Sequence, residues 1–270
     1  MTDKEIVDNY LRTLEINDKI EDLEDITKLI KAHLNNFSFS SLKVLLKEEI
    51  SLELNSIYES LVKNRRGGYC FEHNKLMYEV LKTLGFNVKY YLARVVNNTD
   101  NIPPQTHRFT LLDFENEKYL IDVGIGFRTP SVPVKLGKDS SRSHLGIDYS
   151  VKHFEDGSFG MQLIEKGKAF LATRFDLNPC YEVDFEMANF YSYKHPQAVF
   201  VNNLVISLIH DDVIHSLVND KYIKIYKDRT EEVAIQSSKQ LAQIIKDDLK
   251  TNFTFEEIEL LYNTYINKSA

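Results

Sequence analysis

The sequence predicts an α+β fold in which helices come first, strands fill the middle, and the two alternate towards the C-terminus. Three observations carry this. Apolar residues recur at helical spacing up to Leu84, β-branched and aromatic residues dominate from Val88 onward, and capping-box spacings appear near the C-terminus. At 270 residues the chain is long enough for two or three subdomains.

Ile6, Tyr10, Leu11 and Leu14 form one helical face, and Leu23, Ile26, Leu29, Ile30, His33 and Leu34 a second. Ile57, Leu61 and Val62 mark a third over residues 54–63. A fourth helix starts near Cys70, with Leu76, Met77, Val80, Leu81 and Leu84 on its apolar face and Gly85 where a C-terminal cap belongs. Residues 1–84 therefore read as a helical bundle. Past Gly85, Val88 to Val96 form a β-rich run ending in the loop Asn97 to Pro104. His107, Phe109 and Leu111 alternate with Thr106, Arg108 and Thr110. A turn at Glu115-Asn116-Glu117 then leads into Tyr119 to Val123, which sets His107 and Asp122 on neighbouring strands. A second hairpin, Tyr149 to Glu155 and Phe159 to Glu165, turns at Asp156-Gly157, and a further strand runs from Ala169 to Phe175. Residues 85–187 read as an antiparallel sheet or barrel. A short helix from Asp184 leads to His195, and residues 188–270 then mix strand-like runs, Ala198 to Ile209 and Tyr222 to Tyr226, with two helices. Those helices are capped by Ser237 with Gln240 and by Thr254 with Glu257. This last third is placed to cover a site.

Hydrophobic residues at 43% and charged residues at 27% describe an ordinary soluble globular chain. The net charge of -7, without any basic stripe interleaved with aromatics, argues against a nucleic-acid partner. Met1-Thr2-Asp3-Lys4-Glu5 lacks an export pattern, and no apolar run approaches the ~20 residues of a membrane span. The expectation is a cytoplasmic protein with no membrane partner. Two cysteines, Cys70 and Cys180, are too few for a disulfide framework and suit a reducing compartment. Cys180 reads as an inert packed thiol. His33, His144, His153, His210 and His215 show no metal-ligand spacing, so no metal is expected.

The stretch Arg65-Arg66-Gly67-Gly68-Tyr69-Cys70-Phe71-Glu72-His73-Asn74 carries the chemistry. Cys70 falls in the first turn of a helix, where unpaired N–H groups and the positive end of the helix dipole favour a thiolate. Thiolate chemistry needs a base to take the proton and a third group to fix the base's tautomer, and Cys70, His107 and Asp122 are of the right types. The Cys70 N–H is a candidate donor to a tetrahedral oxyanion. Gly124 and Gly126 read either as a tight turn or as bare backbone that lets a cofactor approach. His73, three residues past the thiol, reads as a packed histidine.

RRGGYCFEHN resembles the active-site signature of the arylamine N-acetyltransferases. Ile102 to Arg108 is similar to that family's histidine segment, Tyr119 to Gly126 to its Asp-Val-Gly-Phe-Gly segment, and Asn189 to Phe200 to a later block. The resemblance runs from about residue 10 to residue 210. It implies a helical bundle, a β-barrel and an α/β lid around a papain-like or transglutaminase-like Cys70-His107-Asp122 core. It further implies acetyl transfer from acetyl-CoA to a small-molecule arylamine or aryl hydrazine through an acetyl-cysteine. By the same resemblance, Thr106, Gly124, Gly126 and Phe127 face the CoA, and Phe39, Phe71, Ile125 and Phe200 line the amine pocket. Those three phenylalanines read equally well as plain core. The chain departs from the family at Ser38-Phe39-Ser40-Ser41, which removes the expected acidic partner of Arg66. It departs again at Ile125, where phenylalanine is usual, and at Asn97, where many relatives carry tryptophan. Two other readings stand beside this one. One is a papain-like hydrolase or amide-forming acyltransferase with another acyl donor, the other a protein that keeps the three residues without turnover.

Overall fold

The computed structural model describes residues 1–267. Helix α1 (Asp3–Thr13) opens on Thr2, whose hydroxyl takes the Glu5 N–H while the Glu5 carboxylate takes the Thr2 N–H. Helix α2 (Leu23–Asn36) is capped by Asp22. Strand β1 (Phe39–Ser40) and the short helix α3 (Leu42–Leu45) follow. Helix α4 (Leu54–Ile57) then runs on as wider π turns through Tyr58–Lys63, and α5 (Cys70–Thr83) closes the first part of the chain. Tyr10, Ile26, Leu29, Leu76, Met77 and Val80 meet in one buried core that joins α1, α2 and α5. Each such side chain contributes about 1.5–3 kcal/mol on burial. Gly85 ends α5 at φ +93°, a conformation that suits a residue without Cβ.

Strands β2 (Asn87–Val95), β3 (Gln105–Phe114) and β4 (Glu117–Ile121) form a meander, with left-handed Glu115 and Asn116 at the β3–β4 turn. Next come β5 (Val134–Lys135), β6 (Gly137–Arg142), β7 (Asp148–His153), β8 (Phe159–Glu165), β9 (Lys168–Leu171) and β10 (Thr173–Phe175). The spatial order is β5-β4-β3-β2-β10-β8-β7-β6, with β9 on β8. Its two outer strands, β5 and β6, are neighbours in the chain, and Leu136 between them bridges to Val151 of β7, so the antiparallel sheet curls into a nearly closed barrel. Tyr91, Phe109, Leu111, Tyr149, Met161 and Phe175 fill it.

Helix α6 (Glu182–Lys194) and the one-turn helix α7 (Val199–Asn202) lead into β11 (Val205–Ile209), β12 (Ile214–Val218), β13 (Lys221–Ile225) and β14 (Thr230–Ala234). The run Ala198 to Ile209, expected as a strand, is therefore split. The amides of Asn202 and Asn203 bond back to the Ala198 and Val199 carbonyls at 2.9 and 3.0 Å and close a helical turn. Likewise Ala169 to Phe175 breaks at Ala172, whose carbonyl takes the N–H groups of Val96 and Asn97. Helices α8 (Ser238–Gln243) and α9 (Phe255–Leu261) pack on this last sheet; Thr254 and Glu257 form the reciprocal cap read from the sequence, whereas Ser237 takes the Gln240 N–H but the Gln240 side chain takes the Gln236 N–H instead.

One crossing matters for the site. Strand β1, inside the stretch read as helices, pairs with β11 at Phe39↔Ser207 and Ser40↔Ile206, and Phe39 also bridges Gly68. The sheet order β1-β11-β12-β13-β14 thus stitches the segment before α3 to the C-terminal third and fixes the loop ahead of Cys70 from behind.

Candidate active site

Cys70 is the first residue of α5. Tyr69 before it is extended, and the Glu72 carboxylate takes the Tyr69 N–H at 3.2 Å, which defines the helix start. The other Glu72 oxygen meets Lys43, which also donates to Ser60 at 2.8 Å; this ion pair is almost fully buried. Gly67 sits at φ +68°, and a Cβ there would lie 2.7 Å from that of Ser40, so the approach to the thiol needs glycine on both counts.

The barrel delivers the other two groups. His107 stands near the start of β3 and Asp122 one residue past β4, where Thr110 pairs with Ile121. His107 Nε2–H donates to Asp122 Oδ2 at 2.6 Å, with both side chains 2% exposed. Asp122 Oδ1 accepts from Asn74 Nδ2 and from the Gly124 N–H, each at 2.9 Å. Burial works against an imidazolium, but the Asp122 charge and hydrogen bond, helped by the Cys70 thiol, outweigh it and push His107 up to about 10. With Nε2 committed to Asp122, Nδ1 is the ring nitrogen left for Cys70. The Cys70 sulfur also lies 3.5 Å from the Thr106 carbonyl. Such a set can hold a thiolate beside an imidazolium and return the proton during acyl transfer.

A cavity of about 370 Å³ opens on this group, within the range of small-molecule sites. Cys70, Thr106, His107, Gly124, Ile125, Gly126 and Phe127 all face it, as do Phe39 and Phe200, whose rings meet edge-on at 5.6 Å. Phe71 is not brought to this wall. It is fully buried edge-on against Tyr69, because a residue one position past Cys70 on a helix points about 100° away from it. Gly124 owes its lack of Cβ to the helix, since a Cβ there would lie 2.8 Å from Cys70 Cα and from Asn74 Nδ2. Gly126 is left-handed at φ +70°. Asn97 is also on the wall.

Several residues here carried no role in the sequence. Tyr191 of α6 lines the cavity from the lid side, and Val95 and Arg128 line it from the barrel. Tyr191 lies within the motif block Asn189 to Phe200, but nothing in its spacing separates a wall residue from a core one. Helix α6 is drawn against the barrel by Arg108, fully buried 4.4 Å over the Phe185 ring and paired with Glu182 at 3.2 Å. Arg66, left without an acceptor at Ser38 to Ser41, meets Glu48 and holds Glu257 of α9 at 2.8 and 2.9 Å over the face of Phe253. The serines instead bind the C-terminal third: Ser38 donates to the Leu249 carbonyl, and Ser41 to that of Asn203.

His73 points away from the thiol. Its Nε2 donates to the Ser38 carbonyl at 3.1 Å, its Nδ1 faces His33 Nε2 at 2.7 Å, and Tyr10 closes the line on His33 Nδ1 at 2.9 Å. Burial lowers His73 to about 4 and His33 well below its ordinary value, the latter helped by His73. Neutral rings satisfy every bond in this line.

A family model described as N-acetyltransferase matches residues 22–258. An arylamine N-acetyltransferase of Escherichia coli K12 is 37% identical over 185 residues, covering 68% of this chain and 66% of that protein. An arylamine N-acetyltransferase / N-hydroxyarylamine O-acetyltransferase of Salmonella typhimurium LT2 is 30% identical over 247 residues, 87% of each chain. Among solved structures, the Salmonella typhimurium arylamine N-acetyltransferase superposes with a TM-score of 0.89 at 27% identity, covering 96% of this chain and 98% of that one. The Mycobacterium marinum enzyme in complex with CoA gives 0.90 at 24% identity, with 96% and 99% covered, a likeness of fold.

Proposed function

The chain belongs to the arylamine N-acetyltransferase family, and from that premise we propose that it moves an acetyl group from acetyl-CoA to an arylamine or aryl hydrazine through an acetyl-Cys70 intermediate. The observation that carries this reading is the buried His107–Asp122 pair opening, with Cys70, on one cavity of about 370 Å³.

In the first half-reaction the Cys70 thiolate attacks the thioester carbonyl. The Cys70 N–H at the start of α5 donates to the oxyanion, and the leaving CoA sulfur departs with the proton held by His107. In the second, the amine attacks the acetyl carbonyl, neutral His107 takes the amine proton, and Cys70 leaves as a thiolate beside the restored imidazolium. Asp122 holds the ring so that Nδ1 faces the sulfur throughout. Phe39, Phe200, Ile125 and Tyr191 shield the acetyl-cysteine from water and offer flat apolar surface to an aryl ring.

The cavity suits an acetyl group, an amine and a narrow arm; a nucleotide must lie outside it. Next to it, sharing Phe127 and Arg128, is a groove of about 1000 Å³. Arg128, Lys166, Lys168 and Lys227 line that groove and pair with no carboxylate among the described residues, which suits a polyphosphate donor. Two free cysteines suit a reducing, cytoplasmic setting.

The test is incubation with acetyl-CoA followed by intact mass measurement. Wild type should gain a single acetyl group and Cys70→Ala none. An unmodified wild type, or an equal adduct on Cys70→Ala, would overturn the reading.

A further inference from the structure

One carboxamide touches all three segments that carry Cys70, His107 and Asp122. Asn74 lies one turn along α5 from Cys70 and is fully buried. Its Nδ2 donates to the Arg108 carbonyl at 2.6 Å, on β3 beside His107, and to Asp122 Oδ1 at 2.9 Å. Its Oδ1 accepts the Val123 N–H at 2.9 Å. Only a carboxamide supplies two donors and an acceptor from one short planar group.

We propose that Asn74 is the positioning residue that holds the Asp122 carboxylate in register with Cys70, so that Oδ2 meets His107 on the side of the ring away from the sulfur. The proposal rests on the Cys70-His107-Asp122 reading given above. Asp122 Oδ1 has two donors, and one of them, the Gly124 N–H, belongs to the same loop and moves with it. That bond orients the carboxylate within its own turn. The bond from Asn74 comes from the nucleophile's helix and fixes the turn against the thiol. Glycine at 124 makes this reach attainable, because a Cβ there would lie 2.8 Å from both Asn74 Nδ2 and Cys70 Cα. The loop therefore sits as close to the helix as bare backbone allows, and a side chain as short as asparagine spans what remains.

A residue that only filled space would affect folding alone. A positioning residue acts through Asp122, and its loss should be felt in the ionisation of Cys70 and in kcat. The experiment uses the full chain with Cys180→Ala, which leaves Cys70 as its single thiol. It compares Asn74→Ala and Asn74→Asp by the pH titration of thiolate ultraviolet absorbance, by kcat and KM for an aryl hydrazine with acetyl-CoA, and by thermal unfolding. Asn74→Ala should lower kcat by roughly 10- to 100-fold, as loss of a hydrogen bond to a buried charge does, with KM for the amine little changed and less thiolate at neutral pH. Asn74→Asp keeps the acceptor for the Val123 N–H but sets a second carboxyl against Asp122. The two should share one proton, giving kcat an added ionisation with activity retained on its acid side, where the introduced carboxyl donates as the amide did. In an Asp122→Asn background, Asn74→Asp should add no further loss in kcat.

Wild-type kcat and thiolate titration in both variants would overturn the proposal, as would losses that simply add to those of Asp122→Asn. Failure of Asn74→Asp to fold would also overturn it, by placing the residue's role in the fold. Transfer that survives Cys70→Ala would instead sink the nucleophile reading itself, which keeps the two failures apart.

Discussion

Replacing Asp122 by asparagine is the sharpest perturbation the site offers, because its hydrogen bonds dictate how the new amide must sit. Oδ1 receives two donors, from Asn74 and from the Gly124 N–H, so the amide oxygen has to occupy that place. The amide NH2 then faces His107 Nε2, which must accept. The ring is forced to carry its proton on Nδ1, towards Cys70, and can no longer take one from the thiol. The charge is lost as well. Asp122 is the main reason His107 rises from its ordinary 6.5 to about 10 despite burial, a net preference for the imidazolium worth about 5 kcal/mol. If most of that supports the thiolate–imidazolium pair, Asp122→Asn should slow Cys70 acetylation on the order of 10³- to 10⁴-fold. The fold should survive, since every bond keeps a partner, but it should lose the stability that the charged His107–Asp122 pair gives near neutral pH. The assay is the single-turnover rate of acetyl adduct formation, set beside iodoacetamide alkylation in a Cys180→Ala background. Rates within about threefold of wild type, in a variant that is folded at the assay pH, would show that Asp122 sets neither the tautomer nor the charge of His107.

Other variants probe the surroundings. Gly124→Ala drives a Cβ to 2.8 Å from Cys70 Cα and should cost about 1–3 kcal/mol in urea unfolding, along with most of the activity; a variant as stable and active as wild type would contradict that contact. Glu257→Gln weakens the hold of α9 on Arg66 and, at this partly buried site, should lower stability by about 1 kcal/mol; no change in denaturation midpoint would show that Glu48 suffices. Stability should also bend with pH in two windows. His107 has a raised folded value, so its contribution is complete below about pH 6.5 and fades as pH rises through about 10. His73 is depressed to about 4, so the unfolded chain gains protons first as pH falls below 6.5, and the fold loses about 3 kcal/mol by pH 4. His73→Gln should flatten the acid window in unfolding measurements, and an unchanged slope would remove His73 as its source.

The order of helices, strands and mixed elements was legible because apolar periodicity reports which face of each element is buried. Turn chemistry at Glu115-Asn116 and the caps at Ser237 and Thr254 were legible for the same local reason. What stayed hidden was set by contacts distant in sequence. Phe39–Ser40 is a strand only because β11 lies beside it, and Val199–Asn202 is a helix because two asparagine amides fold back on it. Arg66 finds its partner on a helix near the other end of the chain, which no local pattern announces. At the site, residue types and motif order pointed to Cys70, His107 and Asp122, whose side chains the fold gathers at one place. Phe71 went astray because a motif records neighbours in sequence, whereas a helix turns each successive side chain to a different direction. Asn74, the last residue of the same motif, gains meaning only when three separate segments meet around it.

The proposed transfer passes acetyl through Cys70, and one measurement addresses that directly. Protein treated with acetyl-CoA, freed of small molecules and mapped by peptide mass, should carry its acetyl on the peptide containing Cys70. On addition of an aryl hydrazine it should give one equivalent of acetyl hydrazide and return to its unmodified mass. Acetylated protein that keeps its acetyl in the presence of the hydrazine, or product that forms only while acetyl-CoA is present, would contradict the account.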